Sequence, residues 1–363
     1  MDSVTVLVTG GSPQDWHGRA AIKRRNDGVL VMCYRDGSAH DVNDGALHIR
    51  FSDDDGATWT AADTTLGDDA VTNFPMNPAT LSAGQDAGEP WLYHYDDDDF
   101  LILHMWRIDY GVSMGGTYQA TSSDGGETWT TATGPVQFAG LTPTQNGKTF
   151  ATDDDFYYDG VLYAGARVYN DADGVPSSMV LITTDDKGAT WTRLSTIMSA
   201  TEDGGKGGQE VGLEYLGDGR IIAMIRDNPQ VKAFRRFSDD MGVTWGTLTD
   251  MTSEIGIAAR QRVYTRAHLK GYSSWWADPV LIMCGFDHTS PGYSQGRINA
   301  VWISTDAGLS WTSPFYVETG TYGDGGYGDL FYDVGNDQYV FVSYRGTLAA
   351  ADLVQYRLTI SNI

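Results

Sequence analysis

One eight-residue pattern occurs five times in this chain, and this repetition constrains the fold more than any other feature. The pattern reads Ser or Thr, any residue, Asp, any residue, Gly, any residue, Thr or Ser, Trp. Its copies begin at Ser52, Ser122, Thr184, Ser238 and Ser304. Self-similarity of this kind is typical of repeat folds, in which each unit buries its apolar face against the next unit. We therefore expect a chain assembled from similar units.

The chemistry of the pattern predicts a hairpin turn. An Asp side chain can accept hydrogen bonds from backbone N–H groups across a tight turn, and Gly supplies the positive φ that such turns need. The Trp then starts the following strand and can pack its ring into the core. The pattern is therefore interpreted as structural, with no catalytic role.

A second repeat predicts the number of units. A turn followed by an alternating apolar strand occurs six times, over residues 27–35, 98–107, 159–167, 218–226, 278–286 and 336–345. No stretch has the period of a helix, and no Pro-rich or Gly/Ser-rich linker divides the chain. The sequence thus predicts an all-β fold: a six-bladed β-propeller of four-stranded antiparallel blades. We expect a single domain over residues 1–363, closed by pairing of residues 4–8 with the C-terminal strands.

Composition limits the partners. The chain has 48 acidic against 24 basic residues and a net charge of −24, whereas nucleic acids and anionic membranes call for basic patches. The short Asp runs are interpreted as turns; calcium is the alternative, although no run has EF-hand spacing. Cys33 and Cys284 are predicted to be free, buried thiols. No stretch is long and apolar enough to span a membrane, and residues 1–10 show no secretory leader, so compartment and oligomeric state stay open.

The five-fold pattern resembles the Asp-box, or BNR repeat, of the sialidase (neuraminidase) superfamily, and the chain is similar to bacterial-type exo-sialidases over nearly its whole length. Sialidases use a Tyr nucleophile rather than a carboxylate. The reason is electrostatic, because their substrate carries a carboxylate on the anomeric carbon that would repel an anionic nucleophile. Guanidinium groups suit that carboxylate because they can bind it bidentately. The resemblance therefore implies three Arg, a Tyr–Glu pair and one Asp. Asp-boxes also occur in propellers with other activities, so they indicate fold and not reaction.

The resemblance assigns the substrate carboxylate to Arg19, Arg226 and Arg297. Arg19 is followed by Ala20 and Ala21 where the family usually has Ile-Pro. Arg35 is a further substrate-binding candidate. Any one of these could instead be an ordinary ion-pair partner, since several other arginines also end predicted strands: Arg107, Arg167 and Arg345.

The remaining roles fall on three residues. Asp41 resembles the acid/base Asp, with Asp44 as an alternative in the same loop. Glu210 resembles the Glu that takes the proton from the nucleophile. Tyr327 resembles that nucleophile, with Tyr322 as its alternative, and Gly328 stands where the family often has Ser.

Together these residues predict a retaining exo-sialidase acting on a sialylated glycan or related acidic sugar. No cofactor is needed for this chemistry, and the seven His residues form no metal-binding set in the sequence. One alternative is a hydrolase or transglycosylase for a related ulosonic acid. The other is a non-catalytic carbohydrate-binding propeller, against which the presence of both Tyr327 and Glu210 argues.

Overall fold

A computed structural model describes residues 3–8, 16–40, 44–74, 86–95, 97–109, 113–151, 154–169, 177–227, 232–256, 258–265, 280–288, 297–318, 324–347 and 349–359. Within these ranges the chain forms strands and three helices of four residues each: α1 (Pro143–Asn146), α2 (Glu202–Gly205) and α3 (Thr252–Ile255). The predicted all-β class is confirmed. No helix among the described residues is long and apolar enough to cross a membrane.

Within the described residues the strands form five hydrogen-bonded sheets, which we divide into six mainly antiparallel meanders called units 1 to 6 in chain order. Units 6 and 1 belong to one seven-stranded sheet. Unit 1 contains β2 (Trp16–Arg24), β3 (Leu30–Gly37) and β4 (Ala46–Ser52), and unit 2 contains β5 (Asp86–Tyr95), β6 (Phe100–Asp109) and β7 (Ser113–Ser122). Unit 3 contains β8 (Phe138–Ala139), β9 (Thr149–Phe150), β10 (Asp155–Tyr158), β11 (Val161–Tyr169), β12 (Ser177–Thr184) and β13 (Trp191–Met198). Unit 4 contains β14 (Gly208–Gly217), β15 (Arg220–Asp227), β16 (Ala233–Ser238) and β17 (Thr249–Asp250). Unit 5 contains β18 (Ala258–Thr265), β19 (Leu281–His288), β20 (Arg297–Ser304) and β21 (Phe315–Tyr316). Unit 6 contains β22 (Asp324–Asp333), β23 (Gln338–Gly346), β24 (Ala351–Leu358) and the N-terminal strand β1 (Ser3–Val8).

The strand predicted from the second repeat is the second strand of its meander in all six units, namely β3, β6, β11, β15, β19 and β23. The predicted four strands per unit are not found in every unit. In units 1 and 2 the described residues form three strands, and the next segment runs irregularly beside the third strand. In unit 1, for example, the Thr60 N–H donates to the Phe51 carbonyl over 2.9 Å.

The N-terminal strand pairs with the C-terminal one, as the sequence predicts. Strand β1 runs antiparallel to β24, with Val4 opposite Tyr356 and Val6 opposite Val354. Units 6 and 1 also meet through Asp329, whose carboxylate accepts the Ile22 N–H over 2.7 Å. The first and last units of the chain are therefore neighbours in space.

Each Asp-box forms the predicted turn. In the first box the Ser52 hydroxyl accepts the Gly56 N–H over 2.8 Å. Both carboxylate oxygens of Asp54 accept from Thr58, one from its N–H over 2.8 Å and the other from its hydroxyl over 2.6 Å. The other four boxes repeat these bonds. The pattern is thus a self-contained hydrogen-bonded turn.

The box glycine also allows close packing between units. A Cβ added to Gly242 in unit 4 would lie 2.2 Å from Leu181 of unit 3, and one on Gly308 in unit 5 would lie 2.3 Å from Ile222 of unit 4. The box of unit 1 follows the same rule, because a Cβ on Gly56 would lie 2.9 Å from Phe331 of unit 6. Each of these boxes therefore packs against the preceding unit, and unit 6 precedes unit 1.

The first strands of several units converge on buried acidic side chains. Asp155 of β10 accepts from Lys23 of β2 over 2.6 Å and from the Trp91 indole of β5 over 2.9 Å. Asp154 accepts the Leu213 N–H of β14 over 3.1 Å. These contacts link units 1, 2, 3 and 4 through residues in or directly beside β2, β5, β10 and β14. The predicted free thiols are confirmed, since Cys33 and Cys284 are both buried and unbridged.

The Asp-box bonds predict an acid-dependent loss of stability. Hydrogen bonds from Thr244 lower the pKa of Asp240 below its ordinary 3.8. In the other four boxes partial burial acts to raise the carboxyl pKa, but the hydrogen bonds outweigh it and the net direction is also down. A carboxyl pKa lowered by folding contributes stability above the ordinary value, and that stability is lost as the pH falls through the folded pKa. The urea midpoint should therefore decrease as the pH is lowered from about 5 through the folded pKa values, which lie below 3.8.

A matched pair of variants isolates this effect within the first box. Asp54→Asn removes a titrating, bonded carboxylate and should lose less stability than wild type on acidification. Asp53→Asn changes an exposed neighbour for which the described residues provide no such bonds, and it should follow the wild-type curve. Equal acid sensitivity of Asp54→Asn and wild type would contradict the assignment.

Candidate active site

We call the strand that pairs with the second strand on the side opposite the third strand the first strand of each unit. Among the described residues five of these first strands share an irregularity near the candidate site. The pairing register of β2 with β3 breaks between Gly18 and Ala21, and that of β22 with β23 breaks between Gly326 and Asp329. Comparable breaks occur near the start of three more first strands: β5, β14 and β18. A β-bulge inserts an extra residue and re-aims the side chains around it. Arg19 and Tyr327 both lie within such breaks, so the bulges place functional candidates at the same end of their units.

Tyr327 and Glu210 are in direct contact. The phenolic O–H of Tyr327 donates to Glu210 Oε1 over 2.8 Å, although the two residues are 117 positions apart in the chain. Both side chains are buried. A carboxylate that accepts a hydrogen bond from a phenol O–H is placed to take the phenol proton when the phenol oxygen attacks a substrate.

Arg226 forms a bidentate ion pair with Glu210. Its Nε donates to Glu210 Oε2 over 2.8 Å, and its Nη2 donates to Glu210 Oε1. Arg226 is opposite Glu210 in the β14–β15 register, so the pair is set by strand pairing. A side-on bidentate pair favours the ionised carboxylate. This geometry assigns one edge of the Arg226 guanidinium to Glu210, a partner that the sequence did not indicate.

Arg19 lies beside the same tyrosine. Its Cζ is 5.5 Å from the centre of the Tyr327 ring and 5.8 Å from the Trp16 ring. Its Nη2 donates to His40 Nε2 over 2.7 Å, and its Nη1 lies 3.4 Å from Glu89 Oε1. Arg19 itself has a left-handed backbone, with φ of 55°, as expected at a bulge.

Arg297 reaches this cluster through Phe286. The Arg297 Cζ lies 4.7 Å from the Phe286 ring, and that ring is 5.6 Å from the ring of Tyr327. Arg297 Nη1 also donates to the Gly325 carbonyl over 3.5 Å. The three arginines named from the sequence are thus each linked to Tyr327 directly or through one side chain.

Arg35 is completely buried at the edge of the cluster. Its Nη1 donates to the Ala39 carbonyl over 3.2 Å, and its Cζ lies 5.2 Å from the Trp16 ring. Trp16 is therefore flanked by Arg19 and Arg35, and these contacts place Arg35 one aromatic ring away from Arg19.

Of the two acid/base candidates, only Asp44 lies among the described residues. Asp41 lies outside the described residues, as does Tyr322, the alternative nucleophile. Asp44 is exposed, and its carboxylate accepts the Ser38 N–H over 3.1 Å, which closes the loop after β3.

Two glycines beside Tyr327 are required by close packing. Gly326 has φ of 121°, and a Cβ there would lie 1.7 Å from the Phe286 ring. A Cβ on Gly328 would lie 1.9 Å from the Val342 carbonyl oxygen. The Gly that stands where the family often has Ser is therefore explained, because β23 approaches too closely for any side chain.

Four neighbours of these residues are not predicted by the sequence patterns: Trp16, His40, Glu89 and Phe286. Glu89 lies in the register break of β5 as Arg19 does in that of β2, and it has φ of 46°. Its position at the start of a first strand was the only available signal. His40 directly precedes Asp41, so proximity in the sequence was its signal.

Comparison with known proteins agrees with the repeats. A family model described as BNR repeat-like domain matches residues 78–339. The chain belongs to the BNR repeat-like domain family. No curated protein sequence matches it. Solved structures similar to this BNR repeat-like chain include the Hadza microbial sialidase Hz136, with a TM-score of 0.71 and 15% identity over 98% of this chain and 68% of that one.

Two further structures match this BNR repeat-like chain over nearly their full length. A protein of unknown function from Dyadobacter fermentans has a TM-score of 0.71 and 14% identity, covering 99% of this chain and 100% of that one. An α-L-arabinanase from Penicillium chrysogenum has a TM-score of 0.64 and 14% identity, covering 99% of each chain. The fold is thus shared by proteins of different activities, and the reaction must be argued from the site.

The packing around Gly328 predicts that the residue common in the family is not tolerated here. Gly328→Ser should lower the free energy of unfolding by about 1–3 kcal/mol, because strand β22 or the Val342 carbonyl must move. Denaturant titration measures this loss. Gly67→Ala is the matched control, since its added Cβ would meet nothing nearer than 3.8 Å, and it should stay within about 0.5 kcal/mol of wild type. Equal stability of the Gly328→Ser variant would contradict the proposed contact.

Proposed function

We propose that this protein is a retaining exo-sialidase whose six units form a closed six-bladed propeller, with the site at the end where the bulges lie. The observation that carries the proposal is the Tyr327–Glu210 hydrogen bond beside Arg19 and Arg226. A phenol paired with a carboxylate, among several guanidinium groups, suits a substrate that is itself an anion. A two-carboxylate site would repel such a substrate. The cyclic packing of the Asp-boxes and the β1–β24 pairing support the closed ring.

In the proposed reaction Tyr327 attacks the anomeric carbon while its proton passes to Glu210. The hydrogen bond of 2.8 Å provides the path for that proton. Arg226 supports the ionised carboxylate before transfer, and the Arg19 guanidinium over the phenol ring stabilises negative charge that develops there. The product of this step is a glycosyl group covalently bound to the Tyr327 oxygen.

We assign Asp41 to the acid/base role, with Asp44 as the alternative. The acid would protonate the leaving oxygen, and its carboxylate would then activate the water that releases the sugar with retained configuration. The exposure of Asp44 and its bond to the Ser38 N–H favour a structural role for that residue. The proposed mechanism uses these side chains alone.

The substrate carboxylate would bind to Arg19, Arg226 and Arg297, with Arg35 behind Trp16. Because Glu210 engages the Nε and Nη2 edge of Arg226, Nη1 is the Arg226 nitrogen assigned to the substrate. Arg226 is thus proposed both to support Glu210 and to bind the substrate carboxylate, whereas Arg297 is proposed only to bind the carboxylate. Variants of the two arginines should therefore change different kinetic constants.

Removal of the phenolic oxygen should abolish turnover. Tyr327→Phe is expected to leave less than about one thousandth of wild-type kcat on a fluorogenic sialoside, and Glu210→Gln should cost about 10²–10⁴-fold. Tyr93→Phe is the matched control. It removes another buried phenol, which donates to the Ala151 carbonyl over 2.8 Å in unit 2, and should keep wild-type kcat.

Three outcomes separate the proposal from its alternatives. Wild-type binding of sialosides without turnover would favour a carbohydrate-binding propeller. Turnover of another ulosonic acid glycoside but not of a sialoside would favour the related hydrolase, and transfer to an added sugar acceptor would identify a transglycosylase. Full activity of Tyr327→Phe would exclude the proposed nucleophile.

Substitution of Arg297 should change KM alone, whereas substitution of Arg226 should change both KM and kcat. Arg297→Lys should raise KM about tenfold or more with little change in kcat, because a Lys cannot bind a carboxylate bidentately. Arg226→Lys should raise KM and also lower kcat, because it weakens the buried partner of Glu210. Steady-state kinetics on the same sialoside measure both effects. Unchanged KM in both variants would contradict a carboxylate-binding role.

A further inference from the structure

The environment of His40 indicates a function that neither the repeats nor the fold predicts. His40 follows β3 in the loop that leads to β4, and its side chain is buried. Its Nε2 lies 2.7 Å from Nη2 of Arg19. A buried histidine in contact with an arginine of the candidate site can either transfer a proton in the reaction or position the arginine.

The partner determines the state of the imidazole. A guanidinium is always protonated and has only donors, so Nε2 of His40 must be the acceptor in this bond. The ring is therefore neutral, with its proton on Nδ1. A protonated imidazole would set an N–H against the N–H of Arg19 and place two cations in contact.

Three aromatic rings fix the plane of His40. The Trp16 ring lies 4.9 Å away, the Tyr344 ring 6.1 Å and the Tyr327 ring 6.2 Å. Gly18 makes room for this arrangement, since a Cβ there would lie 2.7 Å from the Tyr344 ring. The acceptor nitrogen is thus held towards Arg19 by packing from β2, β22 and β23.

Among the described residues, Glu89 and His40 both contact the Arg19 guanidinium, and they differ in charge. Glu89 lies 3.4 Å from Nη1 and offsets part of the guanidinium charge. His40 accepts from Nη2 and is neutral, so it orients the guanidinium while leaving its charge available. Further charged groups near His40 in the described part of the chain include Arg35, which contacts Ala39 and Trp16, and Glu210, which is reached through Tyr327.

We propose that His40 is a positioning residue that holds Arg19 by a neutral hydrogen bond in the orientation that binds the carboxylate of the sugar acid. This inference rests on the proposed function, because it takes Arg19 as a carboxylate ligand. It assigns no proton transfer to His40. Arg19 lies in a bulge whose backbone does not by itself fix a long side chain, and the bond to His40 helps to fix the orientation of its guanidinium.

Two variants of His40 separate the hydrogen bond from the ring. His40→Phe keeps an aromatic ring but has no acceptor, and it should raise KM for a fluorogenic sialoside and Kd for free sialic acid by the same factor, about 10- to 100-fold. The kcat should stay within about threefold of wild type. His40→Gln offers an amide oxygen near the position of Nε2, and it should restore both constants to within about threefold.

Two controls complete the design. His104 is also buried between aromatic rings, 4.9 Å from Tyr93 and 4.8 Å from Trp191, but in unit 2 and bonded to Gln119 and Ala151. His104→Phe should lower the melting temperature and leave KM and Kd unchanged. In an Arg19→Lys background, His40→Phe should have little further effect, because the two residues act through one bond.

Wild-type KM and Kd in His40→Phe, or equal impairment of His40→Gln and His40→Phe, would overturn the inference. If the wild type binds sialic acid without turnover, the hydrolase function fails while the Kd values of the two variants still decide the role of His40. A wild-type protein that neither binds nor cleaves the sugar acid would overturn both.

Discussion

Over the residues whose burial is described, the second strands of the units are buried on both faces along most of their length, and this constraint governs the rest of the structure. Strand β3 is buried along its whole length, and β15 is buried at all but its first residue. A strand in a single meander has nothing to cover its two faces, so each unit needs a neighbour on either side. The Asp-boxes serve this need, because their glycines let the turn of one unit lie directly against the strands of the preceding unit. Stacking of this kind ends without exposed faces only if the last unit meets the first.

The site lies where this stacking leaves the first strands irregular. A bulge costs ladder hydrogen bonds and, at Arg19 and Glu89, a left-handed backbone that non-glycine residues adopt with strain. The surrounding units over-determine these positions by packing. The same bulges turn Arg19 and Tyr327 towards side chains of other units, which a regular strand would not do. The bulges of β2 and β22 therefore bring Arg19 and Tyr327 into the constellation.

Burial of charge in this cluster also follows from pairing. Arg226 and Glu210 are almost fully buried, and the desolvation of two ions is offset only by good geometry and further hydrogen bonds. The bidentate contact and the Tyr327 donor provide both. The overall charge of −24 acts differently from this cluster. Charges on exposed Asp-box turns are screened over about 8 Å at physiological salt, whereas the guanidinium groups act at contact distance. An acidic protein can in this way present a cationic site.

The sequence by itself determined the repeat, the hairpin chemistry of the Asp-boxes, the six second strands and the N- to C-terminal pairing. The repeat, the hairpin turns and the second strands depend on contacts within a few residues or on an alternating apolar pattern, and both can be read along the chain. The N- to C-terminal pairing instead follows from the closure expected of a ring of repeats. It also named Glu210, Tyr327 and three arginines through family resemblance. Tertiary structure alone decided that Glu210 occupies one edge of Arg226, that Gly328 is imposed by the Val342 carbonyl, and that His40 and Glu89 flank Arg19. These contacts join different strands or units across bulges, and neither a bulge nor the approach of two strands leaves a periodic signal in the sequence.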